Sequence, residues 1–511
     1  MADEAPPPPP AGPTSHGNAD EGVAARNAVW QTLTMLARVL LPVHRILISR
    51  LFGQTLYGSY RIASDLWETV SRTSMVASDK GLLRFIAEDR ITHRADLERS
   101  TLGTAFRLVA GASLAAGIAL ALGAPWLAGI WKDAAATPLL RAMGASVVFC
   151  ALAYTLVAAA LGRKAMRVNL FVRGLAEPGL LLGAVIAAGL VGGGVVSLGL
   201  AHASTYLALL LLSAIGCAAV FGGGRLLDSL RAPRRAGFYA FVLPLAAAEL
   251  MNLLLMRVGV FLLGGFRGPD VVALLGAAEE LGRPIAAARY VFDPIVATAV
   301  AEAFKLRDME RLTHNVRFLT RWVASAAAPI AVVVFVLRGD LLRLYGPAFP
   351  QAGGVLIVLG LGHMCNAVGG IAAGLLPMSG RPLAFFFNNL GAAIANVVLC
   401  LVLIPRYGLM GAAVASTTAT ALLIGALIVQ TATQVKVHPF HLGLLKPAAA
   451  AIPSALAALG VRALPLPLVA RIAAVALAAG LTYAIALLLL RPEERERRLV
   501  LSLLMPWKRR A

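Results

Sequence analysis

The sequence has few charged residues and leaves little room for a soluble domain. Only 14% of its 511 residues are charged, whereas 59% are hydrophobic, and the mean hydropathy is +0.78. A soluble domain carries about 25% charged residues. About fourteen apolar runs, each near the roughly 20 residues that cross a bilayer, fill residues 28–490. The composition therefore predicts an all-α polytopic membrane protein. The predicted spans are 28–49, 59–79, 102–122, 138–161, 168–190, 195–220, 240–264, 271–292, 318–337, 352–376, 384–404, 409–430, 447–463 and 468–490.

Three kinds of chemical site are also missing. The four cysteines all lie inside apolar runs, with no metal-ligand spacing and no evident disulfide pairing, so we expect inert thiols and no metal site. No Gly-rich loop of the kind that cradles phosphates is present, which argues against ATP hydrolysis, and we expect no cofactor. Connections on the predicted outer side are about fifteen residues or fewer, too short for a folded catalytic domain.

The basic residues lie mainly in alternate connections. Residues 1–26 include five consecutive prolines and read as a disordered cytoplasmic tail rather than a signal peptide. With this tail inside, the cytoplasmic connections and the basic segment 491–511 hold most of the Lys and Arg residues, which predicts that both termini are cytoplasmic. The net charge of +20 is therefore a topology and lipid-headgroup signal, and we expect no nucleic-acid partner.

An internal repeat divides the chain. Shifting the sequence by 214 positions superposes the second predicted span on the eighth, so that Asp65 meets Glu279. The motif at 199–205 likewise resembles that at 411–417. We predict two pseudo-symmetric six-helix lobes, 27–222 (TM1–6) and 236–432 (TM7–12), followed by two additional helices at 445–490 (TM13–14) and a basic cytoplasmic tail at 491–511.

Charged residues inside the spans are concentrated on the first two helices of each lobe. In the second span, the charged residues between 61 and 72 are spaced 4, 3 and 4 apart and share one helical face. An ionisable residue in a span costs about 2.5–3.5 kcal/mol on insertion scales, so these stripes should face a shared aqueous cavity or pair across the interface. The candidate substrate-binding residues are Arg38, Arg45, Arg61, Arg72, Arg257, Arg283 and Arg289. The candidate ion-coupling or salt-bridge residues are Asp65, Glu68, Glu249, Glu279, Glu280 and Asp293.

Two interpretations of these charges stay open at this point. Acids and bases alternate along the stripes, which is typical of structural salt bridges between helices. Arginine, however, greatly outnumbers lysine there, and its planar guanidinium suits bidentate phosphate binding. The sequence alone does not decide which arginines bind a ligand and which are neutralised by the neighbouring acids.

Three short motifs resemble a known family. They are Leu51-Phe-Gly-Gln-Thr-Leu-Tyr-Gly-Ser-Tyr60, Leu344-Tyr-Gly346 continued by Phe349 and Ala352, and Leu403-Ile-Pro-Arg-Tyr-Gly-Leu-Met-Gly-Ala-Ala413. Together they are similar to signatures of polysaccharide-biosynthesis (oligosaccharide flippase, Wzx-like) membrane proteins of the multidrug/oligosaccharidyl-lipid/polysaccharide (MOP) flippase superfamily. The resemblance covers about residues 28 to 430 and implies a MATE-like bundle of two lobes.

The resemblance implies a flippase in the bacterial cytoplasmic (inner) membrane. Its substrate would be undecaprenyl-diphosphate-linked oligosaccharide for O-antigen (lipopolysaccharide), capsule or exopolysaccharide, and its partners would be membrane lipids and the polysaccharide polymerase or export machinery. A cation-coupled multidrug or small-molecule exporter of the same superfamily is the alternative. That function would favour a cavity of carboxylates and aromatics, and aromatics make up only 7% of the chain. A membrane-embedded glycan polymerase or ligase, the only enzyme considered, would need a large outer loop, so we expect no enzyme.

Overall fold

The computed structural model describes residues 34, 41–92, 94–290, 308–371, 375–376, 379 and 381–490. Every regular element in these residues is helical. The helices are α1 Leu41–Ser74, α2 Ser78–Ile91, α3 Ala95–Trp131, α4 Ala136–Gly162, α5 Met166–Leu190 (with a π-helical stretch at Leu170–Ala176), α6 Val195–Phe221, α7 Gly223–Ser229, α8 Phe238–Arg267, α9 Pro269–Tyr290, α10 Met309–Val336, α11 Arg338–Arg343, α12 Gly353–Gly369, α13 Pro382–Gln430, α14 Leu445–Arg462 and α15 Leu468–Leu489. Short 3-10 turns at Phe349–Ala352 and Leu442–Leu444 precede α12 and α14, and a π-helical turn at Thr431–Val435 follows α13.

Most of these helices have the length and composition of a membrane span. Within the described residues, nine helices are long and apolar enough to cross a bilayer, or up to ten if the two halves of α8, bent by 45°, form one span. Helices α1 and α9 are excluded from this group because they carry several charged residues each. The all-α polytopic fold is therefore confirmed, while the number of about fourteen crossings stays a prediction.

The helices differ in how deeply they lie in the bundle. Helix α4 packs between α3 and α6 and has 67% of its most apolar stretch buried, whereas α15 has 17% buried. Small residues allow the close contact between α3 and α4, where a Cβ on Gly117 would lie 2.5 Å from the carbonyl oxygen of Gly144. Helix α4 is therefore an interior element, while α15 offers most of its apolar surface to lipid.

The connection between the second and third predicted spans contains a helix. Helix α2 lies between the second and third predicted spans, and its Leu82, Phe85 and Ile86 are buried. This i, i+3, i+4 spacing gives α2 an apolar face, which packs on Phe238 at the start of α8.

Two long helices contain a glycine break. Gly53 in α1 has φ 86° and Gly408 in α13 has φ 54°, both in the region that favours glycine. In each case the two halves correspond to two predicted spans, 28–49 with 59–79 and 384–404 with 409–430.

Contacts between distant segments close the bundle at the end where Gly53 lies. Ser49 Oγ donates to the Tyr345 carbonyl at 2.8 Å, and Thr55 Oγ1 donates to Asp270 Oδ1 at 2.6 Å. The Tyr57 ring lies 5.7 Å from that of Tyr345. Helices α1 and α9 also approach closely, because a Cβ on Gly58 would lie 1.9 Å from the Pro269 carbonyl oxygen. We call this group of contacts the closed end.

The last two helices pack on α10 through apolar residues and are also joined to the bundle by one buried carboxylate. Asp340 of α11 is 2% exposed and accepts hydrogen bonds from Arg462 Nε at 3.0 Å and Arg471 Nη1 at 3.2 Å. Helices α14 and α15 contact each other through Ser454 Oγ, which donates to the Ala479 carbonyl at 2.8 Å. Asp340 thus joins α11 to both C-terminal helices.

Candidate functional site

A cluster of ion pairs joins α1 and α9 within the bundle. At its centre is Arg61, whose side chain is 1% exposed. Its Nε donates to Asp65 at 2.8 Å and its Nη2 donates to Glu279 at 2.7 Å, while Nη1 lies 3.6 Å from Glu280. Asp65 and Glu279 occupy equivalent positions in the sequence repeat, so equivalent acids bind the same guanidinium. The helical spacing of the charges explains why one face of α1 meets one face of α9.

Arg257 of α8 extends the cluster on one side. It forms an ion pair with Asp65, and its Nη2 donates to Glu68 Oε2 at 2.6 Å. The other oxygen of Glu68 accepts from Arg72 Nε at 2.9 Å. Glu68 therefore bridges Arg257 and Arg72, and the chain of ion pairs runs from the buried centre to the end of α1.

Glu280 extends the cluster on the other side. It forms an ion pair with Arg45 of α1, and it accepts a hydrogen bond from Arg283 Nη1 at 3.2 Å. The complete cluster contains five guanidinium groups and four carboxylates. Its members are Arg45, Arg61, Arg72, Arg257 and Arg283 with Asp65, Glu68, Glu279 and Glu280.

The five arginines differ sharply in exposure. The side chains of Arg45, Arg61 and Arg257 are 15%, 1% and 11% exposed, whereas those of Arg72 and Arg283 are 43% and 41% exposed. Arg72 and Arg283 each hydrogen-bond one carboxylate through a single nitrogen. Among the described residues, no other hydrogen bond is formed by the terminal nitrogens of Arg72 or by Nε and Nη2 of Arg283. These two side chains are the ones that can accept an anion without dismantling the buried centre.

The remaining candidate residues lie outside this cluster. Glu249 of α8 forms an ion pair with Lys80 of α2, in a pair that is partly exposed. Arg289 donates to Asn366 Oδ1 of α12 at 3.0 Å, a partner that the sequence analysis missed because an uncharged residue in an apolar run gives no signal. Arg38 and Asp293 lie outside the described residues.

The chemistry of this site is electrostatic. Each of its four carboxylates is within ion-pair distance of at least one guanidinium, as expected for structural salt bridges between helices. The residues that the structure describes contain no group of three or more His, Cys, Asp or Glu side chains arranged to hold a metal ion. The arrangement offers hydrogen-bond donors and positive charge, which suit an anionic ligand.

A bundle of long apolar helices around buried ion pairs is the architecture of an integral membrane protein, and solved structures share this fold. The lipid II flippase MurJ in an inward closed conformation superposes with a TM-score of 0.69 at 13% identity, covering 90% of this chain and 97% of MurJ. An inward-facing MATE-family multidrug resistance transporter of the MOP superfamily gives 0.65 at 13% identity, covering 83% and 98%. A MOP-superfamily transporter from Pyrococcus furiosus, described as having a binding pocket of reverse polarity, gives 0.58 at 14% identity, covering 84% and 95%.

A comparison of the sequence with family models identifies the family of this chain. Residues 47–352, more than half of the chain, match the family model described as polysaccharide biosynthesis protein, and the chain belongs to that family. No curated protein matches the chain in a sequence comparison. The resemblance inferred from the three motifs is thereby confirmed for the family, and the MATE-like fold is confirmed by the solved structures.

Proposed function

We propose that the protein is a flippase that moves an undecaprenyl-diphosphate-linked oligosaccharide across the bacterial cytoplasmic membrane. The polysaccharide biosynthesis family supports the glycan part of this proposal, and the likeness to a lipid II flippase supports the lipid-linked part. The glycan would be a repeat unit of O-antigen, capsule or exopolysaccharide, passed on to a polymerase or export machinery.

The exposure of Arg72 and Arg283 carries this proposal. The side chains of Arg72 and Arg283 are each more than two-fifths exposed, and a guanidinium facing lipid is unstable, so we infer that an aqueous cleft adjoins them. Two such groups, on α1 and α9, offer hydrogen-bond donors and positive charge, which a diphosphate complements. Arg45, Arg61 and Arg257 then hold the helices in register, while Arg289 and Arg38 remain further candidates to contact the substrate.

Transport would proceed by alternating access, with the two six-helix lobes moving against each other. The closed end supports this view, because it seals one side of the bundle while Arg72 lies 14 residues beyond Gly58, about 21 Å along α1. In the topology with cytoplasmic termini, the closed end faces outward and Arg72 lies towards the cytoplasm. The structure then corresponds to a state that receives its substrate from inside.

The alternative, export of cationic drugs, has weaker support. A cationic ligand needs an unpaired carboxylate or an aromatic surface. The four carboxylates of the cluster are all engaged by arginines. A drug would have to displace arginines from these carboxylates, whereas a diphosphate can bind the exposed guanidinium groups of Arg72 and Arg283.

Binding to a defined lipid tests the proposal. Undecaprenyl diphosphate, free and carrying an oligosaccharide, is titrated into the purified protein in nanodiscs. We expect the Arg72→Ala/Arg283→Ala variant to bind at least ten times more weakly, because each charge-assisted hydrogen bond contributes about 1.5–3 kcal/mol. Arg84→Ala is the matched control, since Arg84 is exposed on α2 outside the cluster. The proposal is wrong if the wild-type protein does not bind the lipid, or if the double variant binds it equally well.

A further inference from the structure

Glu68 differs from the other three carboxylates of the cluster. Asp65, Glu279 and Glu280 each lie within ion-pair distance of the buried Arg61. Within the part of the chain that the structure describes, Glu68 has no such contact and instead bridges Arg257 and Arg72. It is also the most exposed of the four, at 28% against 1%, 19% and 7%. Glu68 therefore lies at the boundary between the buried centre and the exposed Arg72.

The two contacts of Glu68 have unequal strength. Arg257 is 11% exposed and its Nη2 lies 2.6 Å from Glu68, so that contact is partly shielded from water. The contact with Arg72 is an i, i+4 pair on one helix, through a single nitrogen at 2.9 Å and with Arg72 43% exposed. Pairs of this kind contribute little to stability, whereas a phosphate group with two oxygens can bind a guanidinium bidentately. An incoming phosphate can therefore replace Glu68 on Arg72 while Glu68 stays bound to Arg257.

We propose that Glu68 is an internal competitor that sets the affinity of the site for phosphate-bearing lipids. It occupies Arg72 when the site is empty, is displaced from Arg72 by the diphosphate, and returns to Arg72 when the substrate leaves. Its negative charge remains beside the bound diphosphate and weakens the binding. Glu68 thus favours release of the substrate from Arg72. This inference rests on the proposed function and adds to it a residue that opposes binding.

Neutralising Glu68 should therefore strengthen binding and slow transport. We expect Glu68→Gln to bind undecaprenyl diphosphate about two- to tenfold more tightly than the wild-type protein, the range of a weak exposed ion pair and its repulsion of the ligand. The rate at which a fluorescent polyprenyl diphosphate is moved across proteoliposomes should fall. Glu88→Gln is the matched control, because Glu88 pairs with Arg84 through the same i, i+4 contact at 2.9 Å, outside the cluster.

A double-mutant cycle assigns the effect to Arg72. If Glu68 competes for that guanidinium, Glu68→Gln should strengthen binding in the wild-type background and have a smaller effect in the Arg72→Ala background, where only its repulsion of the ligand remains. Glu68→Ala, which also releases Arg72, serves in the same assay if the glutamine variant does not fold. Unchanged or weaker binding of Glu68→Gln, with normal binding by the wild-type protein, would overturn this inference and leave the flippase proposal standing. Absence of binding by the wild-type protein would instead overturn the proposed function.

Discussion

The contact between Gly58 and Pro269 allows the closed end to be weakened by a single methyl group. A Cβ added to Gly58 would lie 1.9 Å from the Pro269 carbonyl oxygen and 2.5 Å from its carbonyl carbon. Both are backbone atoms, so no rotation of a side chain can relieve the clash, and α1 and α9 must separate. Overpacking of this kind costs about 1–3 kcal/mol.

Gly58→Ala should therefore favour conformations in which this end is open. The cost applies only while the two helices are in contact, so it shifts the equilibrium between closed and open states by roughly 5- to 150-fold. A cysteine in place of Ser49, which is buried at the closed end, reports this shift in a background without the four native cysteines. In the predicted topology it faces outward, so a membrane-impermeant maleimide applied to cells should label it faster in the Gly58→Ala variant.

The matched control is Gly183→Ala in α5. A Cβ at Gly183 has no neighbour within 4 Å, so the same substitution there should leave the labelling rate unchanged. Thermal unfolding of the purified variants shows whether the fold is retained. Equal labelling rates in the wild-type protein and the Gly58→Ala variant would refute the reasoning, because the helices would then accommodate the methyl group without separating.

Three further predictions concern the closed end, the buried Arg61 and the buried Asp340. The side chains of Thr55 and Asp270 are hydrogen-bonded at 2.6 Å, so a disulfide between cysteines at these two positions should lock the closed end and stop lipid flipping until it is reduced. Flipping at the normal rate by the oxidised protein would show that this end need not open. Arg61→Met should destabilise the protein by about 3–5 kcal/mol, because three carboxylates lose their buried partner. Adding Glu279→Gln should restore part of this loss in thermal unfolding. A fully stable Arg61→Met variant that loses only lipid binding would contradict the role of Arg61 in holding α1 and α9 together. Asp340→Asn should lower stability by about 1–3 kcal/mol in the same assay, because the arginines around it lose the negative charge and one of the two acceptor oxygens. Asp228→Asn, at an exposed position, should have little effect.

The sequence predicted the class of fold and the face of α1 that carries the charges. Apolar runs predict helices because a bilayer requires internally hydrogen-bonded backbone, and the 4, 3, 4 spacing from Arg61 to Arg72 places those residues on one side of α1. Both deductions use only local periodicity. They required no knowledge of how α1 is oriented towards α9.

The pairing of the charges could not be predicted in the same way. Whether Arg61 meets Glu279 or Glu280 depends on the axial shift and rotation of α9 against α1, which the packing of the whole bundle sets. The distinction between buried Arg61 and exposed Arg72, only eleven positions apart on one helix, likewise comes from the neighbours that each position meets. The sequence therefore defined a set of charged residues but not the division of that set into structural and exposed members.

The three motifs that identified the family all contribute contacts at the closed end. Tyr57 of the first motif contacts Tyr345 and Phe349 of the second. The third motif reaches the same end through Pro405, whose carbonyl accepts a hydrogen bond from Arg267, two residues before Pro269. Arg72 and Arg283 lie elsewhere, towards the far ends of α1 and α9. A motif search built on these signatures thus selects for the residues of the closed end, and under the proposed function the determinants of the substrate have to be sought on the charged faces of α1 and α9.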